Sequence, residues 1–209
     1  MLLAFDTGTS AVTVALYDDR VVASSSTVDA RRHGELLAPA ITALLDEAWV
    51  PIMDVTAIAV GVGPGPFTGL RVGLVTARTL GLALGIPVYG VCTLDVLAAE
   101  AADTVREPFL VATDARRKEV YWASYDEHGR RLDGPHVSRP ADVASEGPVV
   151  GAGTLLYPEA FPGARRPEHP SAGVLARVVA EEAAELLDPE PLYLRRPDAM
   201  AAHAPKRVS

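Results

Sequence analysis

Cysteine is nearly absent from this 209-residue chain: Cys92 stands alone, so no internal disulfide can form. Histidine is sparse and scattered. His33, His128, His136, His169 and His203 form no H-x-x-x-H or H-E-x-x-H pair, so no metal site is expected. Positive charge is in short supply, with 19 Lys and Arg against 27 Asp and Glu and a net charge of −8. Such a surface repels phosphate backbones and speaks against this chain alone gripping nucleic acid. The longest apolar stretch, Gly61–Gly85, is broken by Arg71, Arg78 and several glycines, which makes it a poor membrane span. Met1 leads straight into LLAFD with no basic leader segment, so a cytoplasmic location is expected. Ser24–Ser26 have no partnered His and Asp signature, and no constellation reads as catalytic.

What is present reads as an α/β protein. LLAFD (Leu2–Asp6) predicts a buried strand, TGTS a turn and Val12–Asp19 a second strand, with an edge strand following in VVASSSTVDA. His33–Val50 carries Leu37, Ile41, Leu44 and Leu45 at helical spacing. Thr56–Gly63 predicts a strand running into a glycine turn, then a helix after Phe67, a strand at Ile86–Val91 and a helix after Thr93, a candidate N-cap. FLVATDARRKEVYWASYDEHGRR (Phe109–Arg131) again reads strand, turn, strand. Moved back by 108 positions, it falls on the N-terminus without a gap: Leu110 over Leu2, Asp114 over Asp6, Ala123 over Ala15, Tyr125 over Tyr17. Two hairpins can look alike by chance, or an α/β unit has been duplicated. A strand and turn at Gly147–Thr154, a Pro/Gly-rich loop, a helix at Val174–Leu187 and a frayed tail complete the expected order.

GVGPGPFTG looks at first like a phosphate cradle. The Walker pattern fails because Gly69 is followed by Leu70 and Arg71, and the dinucleotide pattern fails because Thr68 sits where its third glycine belongs. Pro64 and Pro66 have no N–H to donate. The loop is stiff rather than donor-rich. In the helix after it, Gly69, Gly73, Ala77, Gly81 and Gly85 recur every fourth residue and form a smooth stripe that another backbone can approach. Apolar residues fill the other faces, so cover on nearly all sides is expected. The second helix on the stripe is either the chain's own His33–Val50 or one from a partner. Asp6-Thr7-Gly8-Thr9 reads either as a nucleotide-facing turn or as an aspartate capping its own backbone. Asp114 repeats Asp6, but its turn, DARRKE, is bulky where phosphate needs close backbone approach.

In this order, LLAFDTGTSAVTVALYD, HGELLAPAITALL, AVGVGPGPFTGLRVGLVTARTLGLALGIPVYGVCTLDVLA, TDARRKEVYWASYD and PLYLR resemble the TsaB family, also called YeaZ. GPGPFTGLRVG is the most specific of these. The resemblance implies an actin/Hsp70/sugar-kinase (ASKHA) fold, duplicated in two lobes with the second reduced. Residues 1–105 would form the first lobe, with its partner-contact helices, and 106–209 the second lobe and tail. It implies a non-catalytic subunit of the complex that installs threonylcarbamoyl on adenosine 37 of tRNAs reading ANN codons. The partners would be the catalytic paralogue TsaD and the ATPase TsaE, with tRNA met only indirectly and a homodimer when the chain is alone. It implies no cofactor of its own, with ATP or ADP placed at the complex interface. The interface expected on this basis comprises His33, Leu37, Ile41, Gly69, Arg71, Gly73, Ala77 and Arg78, and Gly73→Leu is expected to fold yet lose the partner. Asp6, Thr7, Gly8, Thr9 and Asp114 would be a vestigial nucleotide site. An M22-type metallopeptidase-like enzyme or a nucleotide-binding ASKHA enzyme is the alternative, and it requires a metal pair or a complete phosphate cleft.

Overall fold

The computed structural model describes residues 1–195; the expected tail beyond Arg195, with His203, lies outside the described residues. The predicted hairpin is β1 (Leu2–Asp6) and β2 (Ala11–Asp18), joined by β3 (Arg20–Val28). Then follow α1 (His33–Glu47), β4 (Ala57–Gly61), α2 (Phe67–Leu84), β5 (Val88–Val91) and α3 (Thr93–Ala101). These strands build a sheet in the order β3-β2-β1-β4-β5, antiparallel up to β1 and parallel from β1 onwards.

A second sheet repeats the plan. β6 (Phe109–Asp114), β7 (Val120–Tyr125), β8 (Arg131–Ser138), β9 (Val149–Val150) and β10 (Ala164–Arg165) lie in the order β10-β9-β6-β7-β8, with the same parallel and antiparallel pairings. The duplication is therefore structural. Its register is not the gapless one of the sequence: Leu2 faces Tyr17, whereas Tyr125 faces Phe109 rather than Leu110. The second turn closes one residue shorter.

The reduction lies in the helices. Between β3 and β4 the chain makes the 15-residue α1; between β8 and β9 it makes one 3-10 turn at Pro140–Asp142. After β4 comes the 18-residue α2; after β9 comes α4 (Gly153–Leu156). The last helix, α5 (Ala172–Ala180), is shorter than the sequence predicts, and beyond it Glu182 is left-handed and Leu187 pairs with Gly90. Although it follows the 105/106 boundary, α5 packs on the first sheet.

Alternation along β1 explains how this strand is buried on both faces. Leu3 and Phe5 pack into the core under α1 and α2, with Leu37, Ile41, Leu70 and Leu74. Ala4 points the other way, with Ala15 and Ala59, and these small residues let Leu175, Ala176 and Val179 of α5 settle on the sheet. In exchange, α3 covers the second sheet, placing Leu94, Leu97 and Ala98 against Phe109, Val111 and Tyr125. Thr93 is the first residue of α3 rather than its cap; Cys92 holds that position. Among the described residues no helix is long and apolar enough to cross a membrane.

Candidate functional site

The first turn is closed by its own neighbours. Asp6 is fully buried, with Oδ1 accepting from the Gly8 N–H at 2.7 Å and Oδ2 from the Thr93 hydroxyl at 2.7 Å. The Thr93 hydroxyl in turn accepts from the Gly63 N–H at 3.2 Å. A Cβ on Gly61 would overlap the Asp6 carboxylate, and one on Gly65 would overlap the Gly8 carbonyl. The glycine loop thus lies directly on the turn, which is why those positions carry no side chain. Thr7 clamps α2: its hydroxyl donates to the Gly69 carbonyl at 2.8 Å and accepts from the Gly73 N–H at 3.1 Å. The His33 Nε2–H donates to the Thr9 carbonyl at 2.8 Å. Asp6, Thr7, Gly8 and Thr9 are all buried, and of the two readings of this turn the structure shows the aspartate that caps its own backbone, serving as an internal strut. Burial pushes the Asp6 carboxyl above its ordinary range, against the pull of its Thr93 and Gly8 hydrogen bonds.

Asp114, the counterpart of Asp6, is at the surface. It accepts from the Arg116 N–H at 2.7 Å and pairs with the Arg116 guanidinium at 3.3 Å. Arg116, Arg117 and Lys118 all sit in the left-handed region, with φ of 60°, 54° and 62°. Each of the two aspartates closes its own turn.

The interface expected on α1 and α2 divides in two. His33, Leu37, Ile41, Gly69, Gly73 and Ala77 are buried inside this chain, so they are corrected from partner contacts to core. The small-residue stripe faces the chain's own sheet. A Cβ on Gly69 would stand 2.6 Å from the Thr7 carbonyl, and Cβ atoms on Gly73 and Gly81 would overlap Thr7 and Val88. Gly85 is not part of the stripe but the left-handed C-cap of α2. Within this chain the cover is incomplete: Thr68, Val75, Thr79 and Leu82 are exposed, Leu82 at 87%. Arg71 and Arg78 lie on this open side. Arg71 rests 3.9 Å above the Phe67 ring and donates from Nε to the Tyr193 hydroxyl at 3.2 Å, and Tyr193 stacks on Phe67. Beside them, α1 exposes the small residues Gly34, Ala38 and Thr42. Of this open side the sequence singles out Arg71 and Arg78 but not Val75, Leu82, Gly34, Ala38 or Thr42, because its row of small residues marks the opposite face.

Elsewhere, the Cys92 thiol is buried and pushed up to about 12 by desolvation, a packing residue rather than a nucleophile. Asp95 joins the lobes by accepting from the Tyr125 hydroxyl and pairing with Arg131, both of the second sheet. Among the described residues no group of three His, Cys, Asp or Glu side chains is placed to hold a metal ion.

Two five-stranded sheets of one topology, each covered by the other's terminal helix, define the duplicated ASKHA class. Residues 21–156 match the family model "TsaD: tRNA N6-adenosine threonylcarbamoyltransferase". A Mycobacterium tuberculosis protein named only as uncharacterized is 48% identical over 95% of this chain and 93% of its own length. The Escherichia coli tRNA threonylcarbamoyladenosine biosynthesis protein TsaB is 35% identical over 76% of this chain and 74% of its own. YeaZ from Pseudomonas aeruginosa superposes with a TM-score of 0.77 at 34% identity, covering 92% of this chain and 99% of that one. The chain belongs to the TsaB (YeaZ) family.

Proposed function

We propose that this chain is a non-catalytic subunit in the making of threonylcarbamoyladenosine on tRNA, docking its TsaD paralogue through the open side of α1 and α2. The observation that carries this reading is the pair of exposed apolar residues, Val75 at 62% and Leu82 at 87%, on a helix whose other side is locked into the sheet. Exposed Gly34, Ala38 and Thr42 leave room on α1 for a partner helix to approach. Large apolar side chains left bare on a rigid two-helix platform are what an interface core needs. The sealed first turn supports a role without chemistry of its own, because its carboxylate and hydroxyls are consumed internally. ATP or ADP then belongs to the joint interface with TsaD, the ATPase TsaE joins the assembled pair, and a homodimer formed through the same helices gives way to the heterodimer.

The test is size-exclusion chromatography with light scattering on the chain mixed with TsaD from the same organism. A heterodimer is expected for the natural chain and for Asp6→Asn. Val75→Glu combined with Leu82→Glu should weaken it by about 100-fold or more, as for loss of interface hot spots. No heterodimer with the natural chain, or full affinity in the double variant, overturns the reading.

A further inference from the structure

Where the first lobe carries α1 and α2, the second lobe carries a 3-10 turn and the four-residue α4, and the space they leave is a hollow of about 740 Å³. It lies at the carboxyl ends of β6, β8 and β9, the side of an α/β sheet where ligands are usually held. Its walls include Tyr157, Leu156 and Pro140, and its rim carries Lys118, Arg139 and, with opposite charge, Glu159. Tyr157 is half-buried and held in place by the cluster around Phe161 and Val143, whereas Leu156 is 51% exposed. Lys118 is presented by the left-handed turn and follows directly on Arg116 and Arg117. Among the described residues the side chains of Lys118 and Arg139 have no ion-pair or hydrogen-bond partner, while Arg116 is held by Asp114. On a chain of net charge −8, the basic turn is a local reversal of sign.

We infer that this hollow takes one unstacked nucleotide of single-stranded RNA. The base lies on Tyr157 and the apolar wall, the flanking phosphates meet Lys118 and Arg139, and Glu159 accepts from a base N–H or a ribose hydroxyl. Aromatic platforms beside basic side chains are how proteins hold splayed RNA bases. The size lies within the range of small-ligand sites and has room for a base with its sugar. The inference rests on the tRNA reading above and adds to it a direct contact, in the lobe away from the TsaD-docking helices.

Fluorescence anisotropy with a short fluorescein-labelled single-stranded RNA tests it, on the chain alone and on its complex with TsaD. Lys118→Glu with Arg139→Glu should weaken binding at least about tenfold. The same pair should reduce the slope of log affinity against log salt by about 1.4, roughly 0.7 for each phosphate no longer neutralised. Tyr157→Ala should weaken binding about tenfold with the slope unchanged, as expected when a stacking surface is removed. Unaltered RNA binding in the double charge reversal, no RNA binding by the chain or the complex, or binding of AMP without competition from RNA overturns the inference. Light scattering on the same variants separates the two readings. A heterodimer that persists while RNA binding ignores these residues sinks only the hollow. Absence of the heterodimer in the natural chain sinks the docking reading, while the isolated chain still reports on the hollow.

Discussion

Two turns, 108 residues apart, end the first strand of each sheet with an aspartate. At the first, Asp6 is fully buried between Gly8, Thr93 and the glycine loop. At the second, Asp114 stands at the surface beside three successive left-handed residues, none of them glycine. The helices differ in the same sense: two long helices cover one face of the first sheet, whereas in the second lobe a 3-10 turn, the short α4 and the packed residues Val143 and Phe161 cover it, with a hollow between these segments. The duplicated unit has thus been specialised in opposite directions. One copy was closed and stiffened into a platform, at the cost of its own cleft. The other lost its helical cover and gained a basic, strained rim. The residue type that decides between them is glycine, because only where Cβ is missing can the 61–65 loop touch the turn.

The contrast is broken most severely at that loop. Gly65→Ala places a methyl group in the Gly8 carbonyl, and Gly73→Leu drives a side chain into Thr7. Each should cost about 3 kcal/mol or more in urea unfolding, Gly65→Ala because backbone cannot step aside and Gly73→Leu because the Thr7 hydroxyl is pinned by its two hydrogen bonds to α2. Gly73→Leu is therefore expected to damage the fold, not to remove a partner from an intact one. Next is Thr93→Val, which deletes the donor to Asp6 and the acceptor of the Gly63 N–H. It should cost about 2–3 kcal/mol, the penalty for stranding a buried carboxyl, and a loss below about 0.5 kcal/mol would show that the strut is not needed.

A smaller effect is read at Asp6 by pH. The raised pKa of Asp6 means that the folded chain holds this proton more tightly than the unfolded chain does. The stability it contributes is complete below the ordinary carboxylate range and is lost as pH rises through the higher folded value. Asp6→Asn removes that titration, so its stability relative to the natural chain should climb from about pH 4 upward. A flat difference would mean that burial does not perturb the group. The smallest change is Lys118→Gly, which relieves a left-handed residue at the second turn and should stabilise by about 0.5–1 kcal/mol in thermal melts. A loss of stability there would show that the Lys118 side chain supports the turn more than its backbone strains it.

The strands are legible because β1, β4 and β6 are short apolar runs bounded by turn residues. β8 is not, because Gly134 and Pro135 interrupt its alternation. The α2 boundaries are readable from the loop before it and Gly85 after it, yet its orientation is not. A row of small residues every fourth position says that something comes close, and it says nothing of what. The chain's own Thr7 and Val88 fill that place. For the same reason Asp6 is readable as a turn residue and unreadable as a strut: its second partner, Thr93, lies 87 positions away.

By itself, then, the sequence determined the order of strands and long helices in the first lobe, the repeat of an aspartate-ended hairpin after 108 residues, and the family, because these are matters of local propensity and residue pattern. The tertiary structure alone decided which side of α2 is closed, that the first turn is sealed, and that the second lobe holds a hollow between its 3-10 turn and α4. Those outcomes depend on contacts between segments tens of residues apart, which are set by how two sheets and their exchanged helices come together in space.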